Sequence, residues 1–217
     1  LPAVPGASSS LPQVKDTWQS ASGLKDNGSP YMGHNAQRKM VVKAMQAAIV
    51  ANTEVREEQF GFNIICAPNY TELIDEMVAL NNDRHNTAFI IGDTPMRLAA
   101  TGTAIQGWAQ NTENVASTSE YGLNTSSPYV GVYYPSGYGT DLAGESVVVP
   151  PSHMLLHTII NNDNVSYPWF APAGLTRGVV TNCANFGYVN NEGEFIPVAL
   201  TQGQRDTLYA NKVNPLV

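Results

Sequence analysis

Apolar positions along this chain alternate between two periods. From about Asn35 to Ala51, Met40, Val41, Ala44, Met45, Ala48 and Ile49 fall at i, i+1, i+4, i+5, i+8 and i+9, with Arg38, Lys39, Lys43 and Gln46 between them. This spacing predicts an amphipathic helix whose stripe faces a sheet. Each buried Met, Val or Ile would contribute roughly 1.5 to 3 kcal/mol, so core packing is favoured over a sticky Met40 and Met45 surface. Glu54 to Glu58 predicts a solvated loop. Phe62 to Ala67 predicts a first strand closed by Pro68, and Asn69 with Glu72 has capping-box spacing into a helix over Leu73, Ile74, Met77 and Val78. Thr87 to Ile91 predicts a second strand. Thr94 then caps, and Pro95 opens, a helix running to about Ala109. Asn111 to Ser127 is a long loop, Tyr129 to Tyr134 a third strand ended by Pro135-Ser136-Gly137, and the Gly- and Tyr-rich residues to Glu145 another loop.

The stretch Ser146 to Val180 carries the densest pattern. Ser146 to Val149 predicts a short buried strand, stopped by Pro150-Pro151 because proline cannot donate to a ladder. Ser152 is placed to cap the next helix, with Met154, Leu155, Thr158 and Ile159 on one face, until Asn161 to Asn164 ends it. Tyr167, Pro168, Trp169 and Phe170 follow as an aromatic cluster docked by the rigid turn Ala171 to Gly174. The tail holds Val179-Val180, Tyr188-Val189, Phe195 to Leu200, a helix near Gln204 to Asn211 and Val213 to Val217, short strands that fit an antiparallel edge, with a hairpin at Asn190 to Gly193.

Helix and strand alternate, and the strands are near-continuously apolar. The fold class is therefore α/β: a mainly parallel or mixed sheet flanked by helices, with short antiparallel strands near the C-terminal end. Residues 1–34, rich in Pro, Gly and Ser, read as an extended segment, pinned by Trp18, or as the remnant of a neighbouring module, and 35–217 as the α/β core domain.

Composition narrows the function. The chain has 217 residues, 43% of them hydrophobic and only 13% charged, so a real core is coupled to a surface of Asn, Thr, Ser and Gln that suits dense packing against copies of itself. Its net charge is -7, and Lys and Arg form no run that tracks a phosphate backbone, which argues against direct nucleic-acid binding. Cys66 and Cys183 lack metal or scaffold spacing and read as buried thiols. The sequons at Asn27, Asn69, Asn124 and Asn164 are what an Asn- and Thr-rich chain produces by chance. No apolar run reaches the roughly 18 residues of a membrane helix. The start at Leu1 and the stop after an apolar run suggest a piece of something longer, expected to be monomeric on its own.

Candidate chemistry is sparse. In a doubly wound sheet a ligand would sit at the strand tips, here Asn69, Asp93 to Pro95, Ser136 to Gly139 and Ser152. Asp93 is the one candidate nucleophile, for a phosphate-ester hydrolase, but no second acid lies near it in sequence. His153 and His157 have the i, i+4 spacing of zinc ligands without the intervening glutamate; they read as a surface or interface pair, and His34 and His85 as helix-end residues. Ser146 lacks the glycine of a nucleophile elbow, and Gly137, Gly139 and the glycines from Gly174 to Gly178 lack the lysine of a phosphate-binding loop. No catalytic, cofactor or metal residue is assigned.

Val149-Pro150-Pro151-Ser152, a helix, an Asn-Asp-Asn turn, then Trp169 and Ala171-Pro172-Ala173-Gly174 resemble, in order, the core pattern of contractile tail sheath proteins of bacteriophages. The resemblance spans about thirty-five residues, with looser support from Tyr134-Pro135 and Val213-Asn214-Pro215. Where that family has a small residue in the helix, this chain has Leu155 or Leu156. The resemblance implies a non-enzymatic virion subunit of a contractile (myovirus) tail, stacked around a tail tube protein and joined to neighbouring subunits by exchanged strands. Contraction for host entry and genome ejection is then rigid-body rearrangement, and a tailocin or type VI secretion sheath is a close relative.

Overall fold

The computed structural model describes residues 13–14, 31–32, 34–112, 122–190 and 192–217. Within them the fold is α/β: a four-stranded parallel sheet with helices, beside a four-stranded antiparallel sheet. Strands β1 (Gln13–Val14) and β2 (Tyr31–Met32) form a small parallel pair. Otherwise the extended reading of residues 1–34, with Trp18 and Asn27, lies outside the described residues.

Helix α1 (His34–Ala51) forms where its period predicts, but turned. Val42 is buried with Arg38, Met45 and Ile49 half-buried around it, while Met40, at 61% exposed, Val41, Ala44 and Ala48 face solvent. The inner face meets α2 (Ile74–Asp83) and the 3₁₀ turn Thr71–Leu73, not a sheet. Arg38 lies on this inner face, where its guanidinium reaches Glu72 and the Asn69 carbonyl. The predicted Asn69–Glu72 capping box does not form: Glu72 is taken by Arg38, and Asn69 has φ 65°.

The parallel sheet runs β10-β5-β4-β3, from β3 (Ile64–Cys66), β4 (Phe89–Asp93), β5 (Val130–Tyr134) and β10 (Val213–Pro215). Strand β4 lies two residues later than its apolar run suggests, and β10 pairs parallel to β5, with Val213 opposite Val132, rather than antiparallel. Helix α3 (Gly102–Ala109) starts well after Pro95, capped by Thr101, whose hydroxyl accepts from Ala104 N–H at 3.3 Å. Thr94 instead donates to the Tyr133 carbonyl at 3.0 Å. Part of the loop predicted before β5, residues 113–121, lies outside the described residues.

Period-2 alternation splits the helices between the sheet faces. Ile90 packs with Ile74 and Met77 of α2. On the same face Val132, Tyr134 and Val213 pack with Ile105 and Trp108 of α3 and Leu208 of α6 (Gln202–Ala210). Asp93, an odd number of positions from Ile90, points to the other face, covered by α4 (Pro151–Val165).

After Pro135, joined to Tyr134 by a cis peptide bond, the chain enters the second sheet instead of the predicted loop. Its order is β7-β6-β8-β9, from β6 (Ser136–Thr140), β7 (Ser146–Val149), β8 (Asn185–Val189) and β9 (Phe195–Pro197), all antiparallel. Strand β7 is a half-exposed edge, not a buried strand. Val179-Val180 forms no strand, and the hairpin at Asn190 to Gly193 forms between β8 and β9, although Asn191 lies outside the described residues. Helix α4 also differs from expectation at both ends. Pro150 is its cap residue, and the helix continues through Asn161 to Asn164, because buried Asn162 turns its amide to the Phe170 carbonyl at 3.0 Å instead of to a local turn.

Gly187 of β8 is fixed by space rather than by backbone angle, since a Cβ there would overlap the Ile196 carbonyl and sit against the Phe195 ring. Backbone cannot move aside cheaply, so Gly187→Ala is expected to destabilise by roughly 1–3 kcal/mol. A lower urea midpoint with unchanged slope would register this; an unaltered midpoint would contradict it.

Candidate functional site

The strand tips of the parallel sheet converge on one buried carboxylate. Asp93 ends β4 and is 3% exposed. Its Oδ2 accepts from Asn69 N–H at 2.7 Å and from the Ser152 hydroxyl at 2.7 Å, and its Oδ1 accepts from Ser152 N–H at 2.6 Å. Three predicted tip positions therefore meet, although Ser152 serves as a donor from the first turn of α4 and not as its cap. Pro150-Pro151 makes this possible: proline is tolerated at the first helical position, so the next residue is the first whose N–H is free to point out of the helix. Asn69 points its N–H inward by adopting positive φ, which asparagine tolerates better than most residues.

Behind Asn69 stands Arg38, which donates to its carbonyl, pairs with Glu72 at 2.5 and 2.9 Å, and lies 4.9 Å over the Tyr70 ring. Helix α1, the β3–α2 turn, β4 and α4 are thus joined through adjacent polar contacts. Nothing in the sequence period signals Arg38 as a member; the signal that could have found it is the single arginine on the face opposite the Met40 stripe.

Burial pushes the Asp93 carboxyl above its usual range, and its three donated bonds pull it partly back. Burial, with the Asp93 charge nearby, likewise raises the half-buried Cys66 thiol at the end of β3. On α2, burial raises Asp75 and Glu76, the latter with one carboxylate oxygen buried and unpartnered. Three of the roughly four lone-pair sites of the Asp93 carboxylate are thus engaged, and the side chain is almost wholly removed from solvent.

The remaining candidates stay apart from this centre. His153 and His157 are exposed on α4, and His85 sits at φ 57° beyond α2. Ser146 lies on the β7 edge, Gly137 and Gly139 in β6, and Gly174 opens the short helix α5 (Gly174–Arg177). Cys66 and Cys183 are both free and half-buried rather than buried, Cys183 donating to the Asn185 carbonyl at 2.9 Å. Asn124 and Asn164 are exposed. Among the described residues no three His, Cys, Asp or Glu side chains are grouped to hold a metal ion, and no helix is long and apolar enough to cross a membrane. An open depression of about 400 Å³ lies where α3 and α6 end, lined by Gln110, Thr125, Ser127, Val130 and Lys212. It holds no converging pair of ionisable groups.

The chain matches no family model and no curated protein. Its functional reading therefore rests on the sequence pattern and on this geometry.

Two measurements test the polar centre. Ser152→Ala removes one donor to a charged group and should cost about 1.5–3 kcal/mol in urea unfolding, whereas Asp93→Ala strands three buried donors and should cost more; equal, small effects would refute the junction. The pH dependence follows from the raised carboxyls. Because the folded values of Asp93, Asp75 and Glu76 lie above the unfolded ones, their contribution is complete below about pH 4 and is lost as pH rises through the folded values. Unfolding free energy should therefore rise as pH is lowered from neutral towards the ordinary carboxylate range, and Asp75→Asn with Glu76→Gln should flatten that rise. A parent that loses stability over this interval would contradict the assignment.

Proposed function

We propose that this chain is a structural subunit of a contractile phage tail sheath, which polymerises around a tail tube and works by rigid-body rearrangement of subunits rather than by catalysis. The observation that carries the reading is how its polar groups are spent. At the strand tips, where an α/β enzyme would keep a reactive group open, the acid is consumed by two backbone N–H groups and a hydroxyl that hold the fold together. Large apolar side chains are meanwhile left on the surface, as suits a protein whose work is done by contact. The ordered match of Val149 to Ser152, Trp169 and Ala171 to Gly174 to the sheath pattern supplies the kind of assembly.

Sheet edges support the same reading. Both sheets are open, with β3, β7 and β9 presenting ladder groups that no other described strand of this chain satisfies, and an added strand from a neighbour is a directional joint. The proposed site of action is the virion, with other copies and a tube protein as partners, and no nucleic acid or membrane contact.

Electron microscopy of the complete gene product carrying this chain tests the reading: hollow tubes of regular helical pitch are expected. Only dispersed particles, together with magnesium-dependent turnover of phosphate esters that is lost in Asp93→Asn, would replace it with the hydrolase reading.

A further inference from the structure

Two apolar surfaces of different character stand open on this chain. One is the corner where α4 ends. Tyr167 and Trp169 stack with centroids 4.8 Å apart and planes 5° apart, Phe170 packs edge-on to both, and the Arg177 guanidinium lies 4.2 Å over the Phe170 ring. Asn162 holds this corner to the helix, yet Trp169 is 74% and Tyr167 62% exposed. At about 150–250 Å² per aromatic side chain, on the order of 400 Å² of aromatic surface faces water here. Exposed Val165 and Leu175 extend it. Such an area matches the largest patch of a typical monomer and is about half of the roughly 800 Å² per partner of a specific interface. Between Ser146 and Asn190 the only Asp, Glu, Lys or Arg residues are Asp163 and Arg177. Aromatic and Arg enrichment with few other charges is the composition of an interface centre.

The other surface is the outer face of α1, where Met40, Val41, Ala44 and Ala48 are exposed with Lys39 and Lys43 beside them. This helix contains no acidic residue, in a chain of net charge -7. The two surfaces complement each other. Flexible Met and small Ala accommodate rigid rings, and the α1 lysines suit the open ring faces of Tyr167 and Trp169, Asp163 and the negative C-terminal end of α4, with Arg177 already seated over Phe170. Because the two patches differ, their contact is heterologous and propagates from copy to copy instead of closing at a pair.

We propose that the Tyr167–Trp169–Phe170 corner of one copy docks on the Met40–Ala48 face of α1 in the next. This rests on the polymer-subunit reading and names one contact through which copies join. The test uses two double variants of the full chain, Tyr167→Ala with Trp169→Ala, and Val41→Glu with Ala44→Glu. All four positions are exposed, so circular dichroism and the thermal midpoint should match the parent. In sedimentation velocity from dilute solution to about 1 mM, the parent should be monomeric when dilute and associate with rising concentration, while each variant stays monomeric. An equimolar mixture of the two variants should form a dimer that grows no further, because each keeps the face the other needs. A parent that never associates, a mixture that stays monomeric, or an α1 variant that still pairs through its corner overturns the contact. Tubes formed by a gene product carrying the corner variant would remove this contact and leave the sheath reading standing. A mixture that dimerises while the parent gene product forms no tubes would do the reverse.

Discussion

A carboxylate buried among three donors fixes how the parts of this protein meet. An ion at the position of Asp93 is costly to remove from water, and it is tolerable only if its oxygens are satisfied. Asn69 N–H, Ser152 N–H and the Ser152 hydroxyl do this from two separate elements. The first turn of α4, where unpaired N–H groups carry partial positive charge, is a favourable place to accept that charge. Sliding α4 by one residue over the sheet would turn Ser152 away and leave the ion bare. Apolar packing would forgive such a slip, because Met154, Leu155, Thr158 and Ile159 form a broad stripe. The polar contact does not.

The same economy of polar groups explains the segment between β4 and α3. Residues 94–101 lie over the strand tips, where an enzyme of this class opens a crevice. Here the Met96 carbonyl accepts Val189 N–H at 2.8 Å, the Leu98 carbonyl accepts the Tyr134 hydroxyl at 3.1 Å, and the Ala100 carbonyl accepts the Gln204 amide at 2.5 Å. Acceptors that a helix would have used internally are committed to the second sheet, to β5 of the parallel sheet and to α6. Tyr134 binds from both ends, since its own carbonyl accepts Leu216 N–H at 2.7 Å. The parallel sheet, the antiparallel sheet and the C-terminal strand are in this way joined through short polar links at one rim.

These committed acceptors mark the limit of what period and propensity reveal. Strands β3 and β5, helices α2 and α6, and the β8–β9 hairpin were legible because each is decided locally, by apolar runs and turn residues. Thr94-Pro95 carries a helix-start signal just as plain, yet the chain stays non-helical there because its partners come from residues near positions 134, 189 and 204. Helix α1 was legible as a helix but not in its rotation, because its inward face combines Val42, Met45 and Ile49 with the long-range pair of Arg38 and Glu72, a partner that sequence spacing does not reveal. Strand β6 escaped notice because Gly137 and Gly139 depress strand propensity. Gly137 is needed where a Cβ would collide with the Met154 and Cys183 sulfurs. At the polar centre the Val-Pro-Pro-Ser step was visible, while the identity of its acceptor, 59 positions earlier, was not.

The rotation of α1 bears on what the surface is for. A helix with Val41 and Met40 outward loses roughly 1.5–3 kcal/mol for each large apolar side chain it fails to bury, and the aromatic corner after α4 forgoes more. A chain that spends a buried ion, a tailored glycine and a rim of polar links on holding its elements in register has no shortage of means to hide a few side chains. The two surfaces left open are rigidly presented, one on an 18-residue helix and one on a stacked ring pair anchored by a buried asparagine. Rigid presentation lowers the entropic cost of association. An exposed apolar group on a mobile loop is a liability, whereas one held fixed on a stiff frame can take up a second molecule at a smaller ordering cost.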